Sequence, residues 1–277
     1  MKNEPCGELA ESKRLAGKWA LILGASSGFG AACARALAVE GMNILGVHLD
    51  LKSTLPRAKA VIADIEGLGN RAVFFNTNAA DTRKRARVLD KIQTTLADDP
   101  EDTVYLMLHS LAFGTLLPFI ADNPDQALNE AQMDMTLRVM AHSMVYWVQD
   151  LVRRDLLGHG SRVFSMTSGG SSRVVPHYGA VSAAKAALES HTRQLALELA
   201  PRGILVNALM GGVTDTPALR AIPGHELMIE EALKRNPSGR MTTPKDIAAA
   251  LVALADPRMT WITGAVIPVD GGEYIIG

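Results

Sequence analysis

Short, nearly continuous apolar runs recur along the chain, each followed by a longer stretch whose apolar positions fall every three or four residues. The runs cover residues 19–23, 43–47, 72–75, 104–108, 163–166, 204–209 and 265–269. A strand with one wet face alternates polar and apolar positions, so unbroken runs predict seven strands buried on both sides. The stretches between them, at 30–39, 58–65, 83–96, 183–199 and 245–254, are rich in Ala and Leu, have few breakers and predict helices. In the fourth, Leu188, Thr192, Leu195 and Leu199 share one face. Strands alternating with helices, joined by right-handed crossovers, give an α/β class. The predicted architecture is a Rossmann-type doubly wound parallel sheet of seven strands with helices on both faces.

Composition narrows the picture. With 277 residues, 48% of them hydrophobic, the chain suits one large domain over 18–277, preceded by a flexible N-terminal arm over 1–17. The arm carries Glu4, Glu8 and Glu11 and no apolar run, unlike a signal or transit peptide. A formal net charge of −1 offers no positive field for nucleic acid or an anionic membrane surface, and neither is expected as a partner. The two cysteines, Cys6 and Cys33, lie in unlike settings, which points away from a disulfide framework or a metal site and toward a reducing, cytoplasmic location. Residues 104–121 are long enough to span a membrane, but His109, Ser110, Gly114, Thr115 and Pro118 make them a buried strand running into a loop.

The first strand runs directly into Gly24-Ala25-Ser26-Ser27-Gly28-Phe29-Gly30 and then a helix. Glycines there permit a tight turn and let the backbone approach a pyrophosphate at the helix N-terminus, although an ordinary strand-to-helix turn can carry the same pattern. Three residues and then one between the glycines resembles the short-chain dehydrogenase/reductases more than the commoner dinucleotide fingerprint.

That resemblance implies a Ser after the fifth strand and a Tyr four residues before a Lys. Ser168 and Lys185 fit, but the position four before Lys185 is Val181, and the tyrosine, Tyr178, stands seven before it. Seven residues are close to two helical turns, so phenol and ammonium still share a face, with roughly 10 Å of rise between them instead of about 6 Å. The stretched pair resembles the enoyl-acyl-carrier-protein reductases of the same superfamily. Chemistry offers a reason: hydride added to C3 of a trans-2-enoyl thioester develops charge on the thioester oxygen, roughly 2 Å farther from the hydride than a ketone oxygen is. In this reading Tyr178 donates to the developing enolate. Lys185 holds the nicotinamide ribose and lowers the phenol pKa, and Ser168 makes a secondary contact. A surface tyrosine, a solvated lysine and a strand-end serine are each common singly.

Further residues extend the resemblance across positions 17–272. His109-Ser110-Leu111-Ala112-Phe113 is similar to the His-Ser signature of enoyl reductases, and Ser168, where one branch has a second Tyr, resembles the type III branch. The implied cofactor contacts are Gly24, Ser27, Gly28, Phe29 and Gly30 in the turn, His48 ending the second strand, and Asn78 and Ala79 after the third. Ser110, Leu111, Ala112, Lys185, Gly212, Thr214 and Thr216 complete the implied set. Asn207 and Gly211-Gly212 stand at the family's Pro-Gly turn, with Gly211 replacing the proline. Many members place an Asn of a catalytic tetrad in a helix corresponding to 131–157, which here contains none.

For the cofactor, Asp50 argues for NADH and Lys52 and Arg57 for NADPH, while the type III resemblance implies NADPH. Residues 214–236, with Leu219, Ile222, Leu227 and Met228 among charges, fit a substrate lid or an amphipathic surface helix. The reading as a whole is an NAD(P)H-dependent reductase of enoyl thioesters on acyl carrier protein or coenzyme A. The alternatives are a 3-oxoacyl or other carbonyl reductase and a catalytically silent dinucleotide sensor. The resemblance further implies fatty acid biosynthesis and a homotetramer, with no metal.

Overall fold

In the computed structural model, which describes residues 13–97 and 103–276, every apolar run becomes a strand. They are β1 (Trp19–Leu23), β2 (Asn43–His48), β3 (Ala72–Asn76), β4 (Val104–His109), β5 (Arg162–Ser168), β6 (Leu205–Gly211) and β7 (Val266–Val269). All pair in parallel, in the order β3-β2-β1-β4-β5-β6-β7. The unbroken apolar runs have a simple cause: Trp19, Leu21 and Leu23 of β1 enter one core cluster while Ala20 and Ile22 enter the other. Each face of the sheet has its own layer of helices to satisfy.

One core cluster lies under α3 (Thr82–Leu96), α5 (Ser143–Arg153) and α6 (Gly179–Leu199). The other lies under α1 (Gly28–Val39), α2 (Leu55–Glu66) and α9 (Pro244–Ala255). The chain leaves β1 toward β2 on one side and later places β4 on the other, so a crevice opens beyond the C-terminal ends of β1 and β4. Among the candidate residues named above, Gly24, Ser27, His48, Ser110, Ser168, Tyr178 and Gly212 lie in loops or at element ends, whereas Lys185 lies inside α6 and Asn207 inside β6.

Four local findings refine the sequence reading. Helix α6 begins four residues earlier than its Ala-rich stretch suggests, with Tyr178 as N-cap. The region 131–157 is interrupted, as α4 (Glu130–Leu137) and α5 are joined by a π-turn over Arg138–His142. Of the expected N-terminal arm, residues 1–12 lie outside the described residues, whereas in residues 13–17 the Leu15 side chain is buried and Arg14 pairs with Asp256 at 3.2 Å. The excursion after β6 forms α7 (Pro217–Arg220) and α8 (His225–Arg235), with Leu219 and Ile222 packed inward and Leu227 exposed. No helix among the described residues is long and apolar enough to cross a membrane.

A buried cation ties the sheet to α9. Arg162, at the start of β5, donates to the carbonyls of Leu254 (3.2 Å), Asp256 (2.9 Å), Met259 (3.3 Å) and Gly160, and its guanidinium lies over the Tyr105 ring at 4.9 Å. The last carbonyls of a helix have no partner within it, and here one planar fork collects them.

Candidate active site

The glycine turn is shaped by close backbone approaches. Gly24 has φ +94°, and a Cβ there would run into the Ser110 carbonyl oxygen, so glycine lets the loop after β4 close against the turn. At Gly30 a Cβ would run into the carbonyl oxygen of Gly24. Helix α1 then starts with no side-chain cap from Ser27 and no acidic residue in its first turn. Its free N–H groups and the positive end of its dipole therefore face the crevice. A cradle of bare backbone at an uncapped, acid-free helix N-terminus fits a pyrophosphate.

The loop after β6 lies across this turn. The Thr216 methyl is 3.8 Å from where a Gly28 Cβ would stand, and Thr216 caps α7 by accepting from the Leu219 N–H. At Gly211 a Cβ would stand 3.2 Å from the Phe29 ring and 3.3 Å from the Ile247 side chain. Phe29 thus packs beneath the crevice, against the end of β6. Gly212 abuts Thr242 and Glu273, and the buried Thr214 hydroxyl donates to the Gly212 carbonyl, turning inward. Leu111 stands beside Gly24, and Ala112 is exposed. At the end of β3, the Asn78 side chain accepts from the Ala80 N–H and the Ala79 carbonyl accepts from the Trp147 indole.

At the end of β2, His48 is buried with Nδ1 2.7 Å from the Asp50 carboxylate. Burial acts to raise the Asp50 pKa, but hydrogen bonds from Thr54, Ser26 and His48 outweigh it and hold the carboxyl below the usual range. The Asp50 backbone is pinned in both directions by Asn76 (2.9 and 3.0 Å). Ser26 belongs to the glycine turn, so this carboxylate sits at the turn's edge.

On β5 and α6, two of the expected three residues, Ser168 and Tyr178, meet, while Lys185 faces the Met166 carbonyl. Ser168 Oγ lies 3.5 Å from the Tyr178 hydroxyl, a long contact that sets the two hydroxyls side by side. Gly170 makes room for the Tyr178 ring, since a Cβ would stand 2.6 Å from it. His177, immediately before, has φ +62°, a left-handed conformation that turns the chain into the helix at the tyrosine. Lys185 is 6% exposed and donates to the Met166 carbonyl at 2.7 Å. Burial pushes its pKa down to about 8, opposed by Glu189. The Tyr178 pKa is raised by burial and lowered only by Ser168. The expected lowering by Lys185 is not found: that ammonium is turned to Met166, two helical turns away.

His109 plays a part that its signature did not reveal. Its Nε2 lies 2.8 Å from Ser143 Oγ, whose single proton goes to the Val139 carbonyl at 2.8 Å. The serine oxygen must therefore accept from Nε2–H, which leaves Nδ1 as an unprotonated acceptor. Nδ1 is buried without a partner among the described residues. Burial first, and then the Lys185 charge, push the ring's pKa down to about 3, so His109 is neutral at working pH. Sequence reasoning also passed over Thr167 and Glu189, bonded at 2.6 Å beside Lys185. The spacing of Lys185 and Glu189, one turn apart, was the available signal.

The family model described as Enoyl-(Acyl carrier protein) reductase matches residues 24–273. The enoyl-[acyl-carrier-protein] reductase [NADH] FabI of Aquifex aeolicus (strain VF5) is 31% identical over 62% of this chain and 63% of its own length, so that alignment spans less than two thirds of the relative. The crystal structure of the Aquifex enzyme superposes with a TM-score of 0.82 at 25% identity, over 95% of this chain and 99% of that one. The 3-oxoacyl-[acyl-carrier-protein] reductase FabG of Escherichia coli (strain K12) is 28% identical over 94% of this chain and 98% of its own. A short chain dehydrogenase from Burkholderia cenocepacia J2315, crystallised in complex with NADP, gives a TM-score of 0.79 at 30% identity over 94% of this chain and 99% of that one.

Proposed function

This chain belongs to the enoyl-(acyl carrier protein) reductase family of short-chain dehydrogenase/reductases, and from that premise we propose that it reduces the trans-2 double bond of enoyl thioesters. The family makes it an oxidoreductase that uses a nicotinamide dinucleotide. The choice of a conjugated double bond over a carbonyl rests on one observation: Tyr178 caps α6 seven residues before the buried Lys185. When bound, the dinucleotide supplies the hydride. The chain's own residues do the rest. The glycine turn and the N-terminus of α1 bind the pyrophosphate, and Lys185 donates to the ribose hydroxyls. Tyr178, kept as a neutral phenol by burial, donates a hydrogen bond and then its proton to the thioester oxygen as charge develops there. Ser168 orients that phenol. Helices α7 and α8 serve as the lid over the acyl chain, which arrives on acyl carrier protein or coenzyme A.

Nicotinamide absorbance followed with a trans-2-enoyl thioester and, separately, a 3-oxoacyl thioester tests this reading. Consumption with the enoyl substrate is the expected result. Turnover of the oxo substrate alone overturns it in favour of carbonyl reduction, and tight dinucleotide binding without any turnover favours a sensor.

The same reading takes NADH as the preferred cofactor, because an ionised carboxylate at the edge of the glycine turn accepts from ribose hydroxyls and repels a 2′-phosphate. The resemblance to the type III branch pointed to NADPH, but Lys52 and Arg57 are exposed and Asp50 is fastened in place. An Asp50→Ala variant is expected to shift the ratio of kcat/KM for NADH over NADPH toward NADPH by about tenfold or more. An unchanged ratio removes Asp50 from cofactor choice.

A further inference from the structure

A buried ammonium that meets only dipoles gives up its proton readily, and Lys185 is such a group unless a countercharge stands near it. Its hydrogen bond goes to a neutral carbonyl, that of Met166. From β4, the neutral His109 contributes no negative charge, and Ser143 of α5 has already given its proton to Val139. From the start of α6, Tyr178 is an uncharged phenol. Glu189 stands one helical turn farther along α6, and therefore on the same face as Lys185, beyond ion-pair distance of the ammonium, and its charge opposes the effect of burial there.

Strand β5 holds Glu189 in that position. The buried Thr167 donates from Oγ1 to Glu189 Oε1 at 2.6 Å. Its neighbours on the strand are Met166, whose carbonyl takes the ammonium, and Ser168, whose hydroxyl meets Tyr178. Three consecutive residues of β5 thus hold three groups of one helix face.

We propose that Glu189 is a positioning residue for this reduction: clamped by Thr167, its carboxylate is the countercharge that keeps Lys185 protonated in its buried seat. The proposal rests on the reading of Lys185 as the lysine that holds the dinucleotide. Burial lowers the Lys185 pKa and Glu189 acts in the opposite sense, so removing the carboxylate carries the titration further down.

The test is a pH titration of the full-length protein labelled with ¹³C at lysine Cε, with the Lys185 resonance assigned by its loss in Lys185→Met. Glu189→Gln keeps the shape and can still accept from Thr167, but carries no charge. Its Lys185 midpoint is expected to fall by about one unit, with the alkaline limb of kcat/KM moving the same way. Thr167→Val, which removes the clamp, moves it less in the same direction, and Glu189→Asp restores most of it. A midpoint that coincides with wild type in both Glu189→Gln and Thr167→Val overturns the proposal. The titration needs no substrate, so inactivity on enoyl thioesters would count against the enoyl reading and leave this result standing.

Discussion

A Tyr178→Phe variant is expected to bind dinucleotide as the parent does and to lose about a thousandfold in kcat/KM on a trans-2-enoyl thioester. The substitution deletes one oxygen. The ring still fills the space that Gly170 leaves for it, and Tyr178 caps α6 through its backbone, with no side-chain cap hydrogen bond to lose. What disappears is the proton donor that burial keeps neutral, together with its 3.5 Å contact to Ser168. A thousandfold corresponds to about 4 kcal/mol of transition-state stabilisation, more than one ordinary neutral hydrogen bond contributes. A loss of that size therefore separates proton donation from substrate positioning. Steady-state kinetics with a parallel measurement of dinucleotide affinity makes the check. Activity within fivefold of the parent would remove Tyr178 from the chemistry, and a matching loss of dinucleotide affinity would make it a structural residue.

The second large effect lies far from the chemistry. Replacing Arg162 by Met is expected to destabilise the fold by about 3–5 kcal/mol, seen as a fall in Tm of about 10 °C. The methionine keeps much of the apolar stem, so packing changes little. Four carbonyls, those of Gly160, Leu254, Asp256 and Met259, lose the guanidinium at once, and of these the Asp256 carbonyl still accepts from the Met259 N–H at 2.9 Å. The stacking on Tyr105 goes with the guanidinium. Arg162→Lys should recover only part of the loss, because one ammonium cannot reproduce a fork aimed at several carbonyls. Thermal unfolding of the three proteins under one condition decides it, and a shift below 2 °C for Arg162→Met would mean that water solvates these carbonyls as well as arginine does.

The sheet was legible because its physics is local. A strand sandwiched between two helix layers must be apolar on both sides, and the runs of the inner strands say so without help from tertiary structure, whereas the edge strands β3 and β7 are only partly buried despite their apolar runs. The glycine turn was legible in part for a related reason, as Gly30 is demanded by the Gly24 carbonyl six residues away, although Gly24 itself is demanded by Ser110 in the distant loop after β4. Tyr178 and Lys185 could be paired on one helix face by counting alone.

What remained hidden depends on partners distant in sequence. Nothing in the string ties Ser143 to His109, so the tautomer of that histidine and its neutrality needed the packed helices. Thr167 and Glu189 lie 22 positions apart, and each looks unremarkable by itself. Asp50 was weighed against Lys52 and Arg57 on equal terms. Only the fold distinguishes an acid fastened to His48 from two exposed bases.

The π-turn at Arg138–His142 has a consequence for the rod it interrupts. A widened turn holds an extra residue, and each residue swings the outgoing side chains by about 100° around the axis. Helices α4 and α5 are therefore successive pieces in different phase. Upstream, Thr136 accepts from the Thr115 N–H in the loop after β4, whereas downstream Trp147 reaches the Ala79 carbonyl beyond β3. One rod thereby serves two loops on opposite flanks of β1. Deleting a single residue from the wide turn would bring the halves into step and rotate Ser143 away from His109, so this helix should tolerate substitutions far better than changes in length.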